Sequence, residues 1–148
     1  MTEYSYPKAP WNLSLIIPVV GFTTKMIVKI PIIGRRLLSF SNKMIGQFLP
    51  SFTFLGFRKA ATFENAIWNW EVFLSLIGAQ YSAEEISPDL KVYTIFKCPA
   101  GYCQKRHLNA CKVTMELDSN LVKRSGAKLI IEKRHPIDGV CIEKIMKS

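Results

Sequence analysis

The chain has 148 residues, 49% of them apolar, which is enough for one ordinary domain to build a core without disulfides or a structural metal. Its four cysteines, Cys98, Cys103, Cys111 and Cys141, are too few for a disulfide scaffold and show no repeated pairing, so they read as reduced thiols of a cytoplasmic protein. The net charge of +9 is uneven: residues 1–60 hold eight Lys or Arg against Glu3 alone, whereas residues 61–148 hold twelve against ten acids.

Residues 11–57 are dominated by apolar side chains, but Lys25, Lys29, Arg35, Arg36 and Lys43 interrupt them. No uncharged stretch reaches the roughly 18 to 20 residues a spanning helix needs. NLSLIIPVVGF has the length of a signal-peptide core, yet only Lys8 precedes it and no convincing cleavage site follows, so export is not expected. Pro18, Pro31 and Pro50 cut the segment into short helices. These either cover a sheet with their Lys and Arg heads in water or lie peripherally on an anionic membrane. No nucleic-acid motif accompanies the basic residues, and no nucleic-acid partner is expected.

Phe63, Ile67, Trp70, Leu74 and Ile77 recur at steps of 4, 3, 4 and 3, which predicts a buried helix over 63–77 stopped by Gly78. Its tryptophans read as core packing rather than as a stacking platform. Ser82-Ala-Glu-Glu85 has the form of a capping box and predicts a short helical turn before Ser-Pro-Asp. Leu90–Lys97 alternates as a strand, with Pro99 and Gly101 ending it, so Cys98 sits at a strand exit.

A second helix is predicted from about Gln104 to Arg124, with His107, Cys111, Met115, Asp118 and Val122 on one face. Apolar burial alone would not choose an aspartate there. The last segment reads as a β-hairpin with a three-residue loop, Ile137-Asp138-Gly139, which pairs Lys133 with Glu143, Ile131 with Ile145, and His135 with Cys141.

The cysteine spacings contain no close pair of the kind that bites zinc, which argues against a structural zinc or a cysteine-ligated iron–sulfur site. They leave open a looser metal site and, equally, four inert buried thiols. Nucleophilic catalysis would need a thiolate beside a proton carrier, which Cys141 with His135 or Cys111 with His107 could supply, Asp118 orienting a group or handling a proton.

KCPAGYC after the strand, the cysteine of NAC, the aspartate of LDSNLVKRSG and the hairpin DGVCIEKI resemble the L-2-amino-thiazoline-4-carboxylic acid hydrolase family over residues 63–145. The Gly-x-Cys hairpin is also similar to vinyl reductase type small-ligand domains. The first resemblance implies hydrolysis of a small cyclic amidine or thiazoline C–N substrate in a pocket lined by Cys98, Cys111, Asp118 and Cys141, with His107 or His135 as proton carrier. The alternative is a non-catalytic module that binds a small ligand or metal. The expected fold is α+β in one domain over 1–148. A small antiparallel or mixed sheet with a C-terminal hairpin, within a cysteine-containing core over 61–148, is covered by helices from an apolar, basic segment over 1–60.

Overall fold

Proline and glycine placement divides the N-terminal half. In the computed structural model, which describes residues 8–148, helix α1 (Ile17–Ile27) carries Pro18 in its first turn, where the missing N–H is no loss. Helix α2 (Ile33–Phe48) follows Pro31, and Pro50 lies in a short 3-10 turn at Leu49–Ser51. The inward faces of these helices are narrow and built from small residues. Gly21 and Thr24 of α1 and Gly34 and Gly46 of α2 are their buried positions.

Helix α3 (Phe63–Leu76) opens on Thr62, whose hydroxyl accepts the Asn65 backbone N–H, and stops at Gly78, where φ is +69°. Trp70 and Leu74 of the predicted stripe are fully buried, and Ala66 and Val72 widen it. Asn69 is buried too, and its amide is satisfied: it donates to Arg58 O and Ser125 Oγ and accepts from Arg58 N.

Among the described residues the sheet has four antiparallel strands in the order β1 (Tyr81–Ser87), β2 (Leu90–Ile95), β4 (Cys141–Lys147), β3 (Ala127–Lys133). The fold is thus α+β with the two C-terminal strands in one antiparallel sheet, as expected. Alternate residues of the central strands, Lys91, Tyr93 and Ile95 and then Cys141, Glu143 and Ile145, are buried. The apolar ones share a core with Trp70, Leu74, Leu121 and Val122. Lys91 is held by an ion pair: its Nζ lies 2.6 Å from Glu71 Oε1, to which Tyr93 also donates its hydroxyl at 3.0 Å.

Three expectations are corrected here. Ser82–Glu85 does not open a helix but lies in β1, because Tyr81 and Ala83 turn inward at strand spacing and Pro88 leaves no room for a helical stripe. The helix predicted from Gln104 begins at Leu108 instead: Lys105–His107 form a 3-10 turn, and α4 (Leu108–Arg124) has His107 as its N-cap. The final hairpin is longer than a three-residue loop. Its connection contains a one-turn helix, α5 (His135–Asp138), capped where Arg134 N–H donates to Asp138 at 2.9 Å and closed by Gly139 at φ +72°.

That longer connection moves the pairing by two residues, to Ile131 with Glu143 and Leu129 with Ile145, with a bulge between Ile131 and Lys133. A shift of two preserves every side chain's face but changes its neighbours. His135 therefore does not oppose Cys141, whose cross-strand partner is Ile95 of β2.

Candidate functional site

Asp118 on α4 and Glu143 on β4 are the unusual residues of the core. Both are buried, with Glu143 wholly so, and Asp118 lies close enough to raise the proton affinity of Glu143. Burial pushes Asp118 from 3.8 up to about 7. Burial first, and then the neighbouring Asp118, push Glu143 well above the usual carboxyl range, with Arg134 offsetting this only in part. Among the described residues Glu143 forms no ion pair, and neither of its oxygens has a protein hydrogen-bond partner.

The pair borders a partly open cavity of about 150 Å³ lined by α1, α3, α4 and the turn after β2. Its wall is mostly apolar, from Ile17 and Val20 of α1 to Phe73, Leu74 and Ile77 of α3, and Cys98 and Cys141 lie on it. A cavity of this size has room for one benzene-sized molecule. Trp70 also lines it, and its Nε1–H is buried without a hydrogen-bond partner among the described residues. A larger groove of about 470 Å³ between α3 and β1 is lined by Arg58, Trp68, Glu71 and Lys91. Its charges are already engaged, Lys91 with Glu71 and Arg58 stacked 3.6 Å over the Trp68 ring, so it leaves less for a ligand to satisfy.

Cys98 stands just past β2, in a turn closed by Gly101 N–H to the Cys98 carbonyl at 3.1 Å. Its sulfur accepts the Tyr102 N–H at 3.3 Å. Burial still raises this thiol's pKa, although the amides of residues 100–102 pull the other way. Cys111 packs with Tyr102 and Cys98 behind the cavity wall. Burial pushes Cys111 and Cys141 up to about 12 each. The expectation of an activated Cys141 thiolate is therefore corrected: His135 offers it a backbone N–H, while the His135 ring lies 3.1 Å from the Ile95 carbonyl, to which it donates as the Nε2–H tautomer.

The structure thus brings Cys98, Asp118 and Cys141 to one cavity with Cys111 against it, and leaves both histidines outside. His107 sits at the start of α4 beside Lys25, Lys29 and Arg106; desolvation and then these cations hold its pKa below the ordinary imidazole value. Among the described residues no group of three or more His, Cys, Asp or Glu is placed to hold a metal ion. All four cysteines are free, and Cys103 alone is exposed. Iodoacetamide at pH 8 is accordingly expected to modify Cys103 first, with Cys98, Cys111 and Cys141 reacting after denaturation, as read by peptide mass mapping. Rapid native labelling of Cys141 would contradict its burial.

Sequence reasoning missed Glu143 and Tyr102. A signal for the first was present: alternation sets Glu143 between Cys141 and Ile145 on the inward face. Tyr102, whose hydroxyl meets Thr114 at 3.0 Å, gave none, because its burial depends on α1 closing over the turn. No protein-family model matches the chain, and no curated protein matches it. The fold and site define an α+β domain with a mostly apolar cavity and two buried carboxyls on its wall.

Proposed function

We propose that the cavity binds a small planar C–N compound of the cyclic amidine or aminothiazoline type, with Asp118 and Glu143 as its polar anchor. The observation that carries this reading is the pair itself: two buried carboxyls lining one cavity of benzene-ring size, one of them with both oxygens unpartnered. Unpaired carboxyls in an apolar interior destabilise a fold, and a bound amidinium supplies the missing charge together with N–H donors in a fork that suits a carboxylate. The apolar wall suits the rest of a five-membered ring. The resemblance to the thiazoline hydrolase family points to the same ligand chemistry.

Calorimetric titration with 2-amino-2-thiazoline, with benzene as the neutral control, tests the reading. Aminothiazoline is expected to bind, more tightly at pH 7 than at pH 5 because the pair must give up a proton, and Glu143→Gln is expected to weaken it at least about tenfold. Benzene binding alone, equal in the wild type and Glu143→Gln, would mean a merely apolar hole.

A second reading, hydrolysis of the bound amidine, is favoured by Cys98. Its sulfur lies on the cavity wall and accepts a backbone N–H. The thiol would add to the amidine carbon and pass its proton to the ionised carboxyl of the pair, which would return it to the nitrogen as the C–N bond breaks; water would then attack the same carbon and break its bond to sulfur, restoring the thiol. In that case Cys98→Ser would abolish turnover of aminothiazoline while leaving its binding intact.

A further inference from the structure

We propose that the protein docks on an anionic lipid bilayer through the outward faces of α1 and α2. This surface is separate from the cavity's contents, and the proposal does not depend on what the cavity binds.

All but three of the exposed large apolar side chains among the described residues lie between Trp11 and Phe54; the exceptions are Ile86, Phe96 and Ile137. They are ordered, not scattered. On α2, Ile33, Leu37, Phe40, Met44 and Phe48 recur at steps of 4, 3, 4 and 4 and form one stripe, with all but Met44 more than half exposed. Leading into and along α1, Leu15, Val19, Phe22 and Met26 recur at 4, 3 and 4 and are likewise exposed. Between the helices Ile30 and Ile32 project from the turn. Ile32, 74% exposed, has φ +62°, a strained conformation for a β-branched residue.

These stripes are not unfinished core, because each helix already has an inner contact on another side. A Cβ on Gly21 would lie 2.1 Å from Ala100 O, and one on Gly46 would lie 2.4 Å from Leu117 O, so both helices rest directly on backbone. Asn42 donates to Val113 O at 2.9 Å, and Ser39 donates to Glu116, tying α2 to α4 from the same side.

Charge selects the occupant. From residue 8 to residue 63 the chain has Lys8, Lys25, Lys29, Arg35, Arg36, Lys43, Arg58 and Lys59 and not one acid. A second copy of this face would bring like charges together. An acidic protein would match the charge but supplies no continuous apolar layer for side chains spread over two helices and their turn. An anionic bilayer supplies both: the stripes enter the headgroup boundary while long basic side chains reach back to lipid phosphates. Among the described residues no helix is long and apolar enough to cross a membrane, so the contact lies in the interface plane.

Flotation of the full chain with vesicles tests this. Vesicles of phosphatidylcholine mixed with phosphatidylglycerol are expected to carry the protein at low salt. Binding should fall at least about tenfold with phosphatidylcholine alone, and by a similar factor for Leu37→Ser/Phe40→Ser. Those two side chains are 58% and 64% exposed, so the melting temperature of the variant should match the wild type and show that folding is intact. Arg35→Gln/Arg36→Gln should weaken binding and flatten its salt dependence. No flotation with the mixed vesicles at low salt would overturn the proposal, as would flotation that Leu37→Ser/Phe40→Ser leaves unchanged. A dimer that this variant converts to monomer, without vesicle binding, would assign the face to self-association. Retention on immobilised polyglutamate without flotation would assign it to an acidic protein.

Discussion

Glu143→Gln is expected to leave stability near pH 4 almost unchanged and to raise it by about 2 kcal/mol or more at pH 8. The sign follows from the direction of the shifts. Burial, and then Asp118, raise the folded-state pKa of Glu143, and burial raises that of Asp118 from 3.8 to about 7. The native protein therefore keeps protons that the unfolded chain has already lost. This contribution to stability is fully present below the unfolded values and is lost as pH climbs from about 4 toward and through the folded ones. Asp118, Arg134, Cys111 and Cys141 surround Glu143; only Arg134 among them is a cation, and it lies outside ion-pair distance. Glutamine keeps the size and removes the titration. Urea unfolding of both proteins from pH 4 to pH 8 should give curves that diverge as pH rises, whereas parallel curves would show that Glu143 ionises freely.

Glu71→Ala is expected to destabilise the fold by about 3–5 kcal/mol, the largest loss of any single substitution considered. Glu71 reaches from α3 to β2, where its Oε1 meets Lys91 Nζ at 2.6 Å and the Tyr93 hydroxyl at 3.0 Å. The ion-paired side chains are only 9% and 4% exposed, so truncation removes the Glu71 carboxylate from a buried ammonium and a buried hydroxyl in a low-dielectric setting. Surface ion pairs such as Lys147–Asp89, 62% and 65% exposed, are a contrasting case in which truncation should be nearly silent. Replacing both buried partners, Glu71→Leu with Lys91→Met, should recover most of the loss. Guanidinium unfolding of the single and double variants measures this, and a single-variant loss below about 1 kcal/mol would mean that water already reaches the pair.

The elements that could be read from the sequence are those whose cause is local. The 4, 3, 4, 3 stripe of α3, the alternation of β2, and the prolines that bound α1 and α2 act through neighbours in the chain. β1 could not be read this way, because Tyr81–Ser87 has few inward side chains, and its pairing to β2 is what makes it a strand. The hairpin register was missed for a similar reason: the bond from Arg134 N–H to Asp138 favours a turn of helix over the tight loop that Asp-Gly suggests.

The burial of Asp118 and Cys111 was legible because a carboxyl and a thiol stand on a helical face that should otherwise be apolar. The histidines were not. His107 falls at a helix start and His135 in a one-turn connection, where a shift of a residue or two redirects a side chain. That Glu143 and Asp118 border one cavity depends on how α4 packs on the sheet, which no local pattern encodes.

The most direct measurement is the pH titration of the Asp118 and Glu143 carboxyl carbons by ¹³C NMR, with and without 2-amino-2-thiazoline. If the pair anchors the ligand, both carboxyls titrate above the ordinary range in the free protein, Asp118 near 7, and both shift downward when the cation binds. Ordinary carboxyl titration in the free protein, or titration that ligand leaves unmoved, would contradict the account.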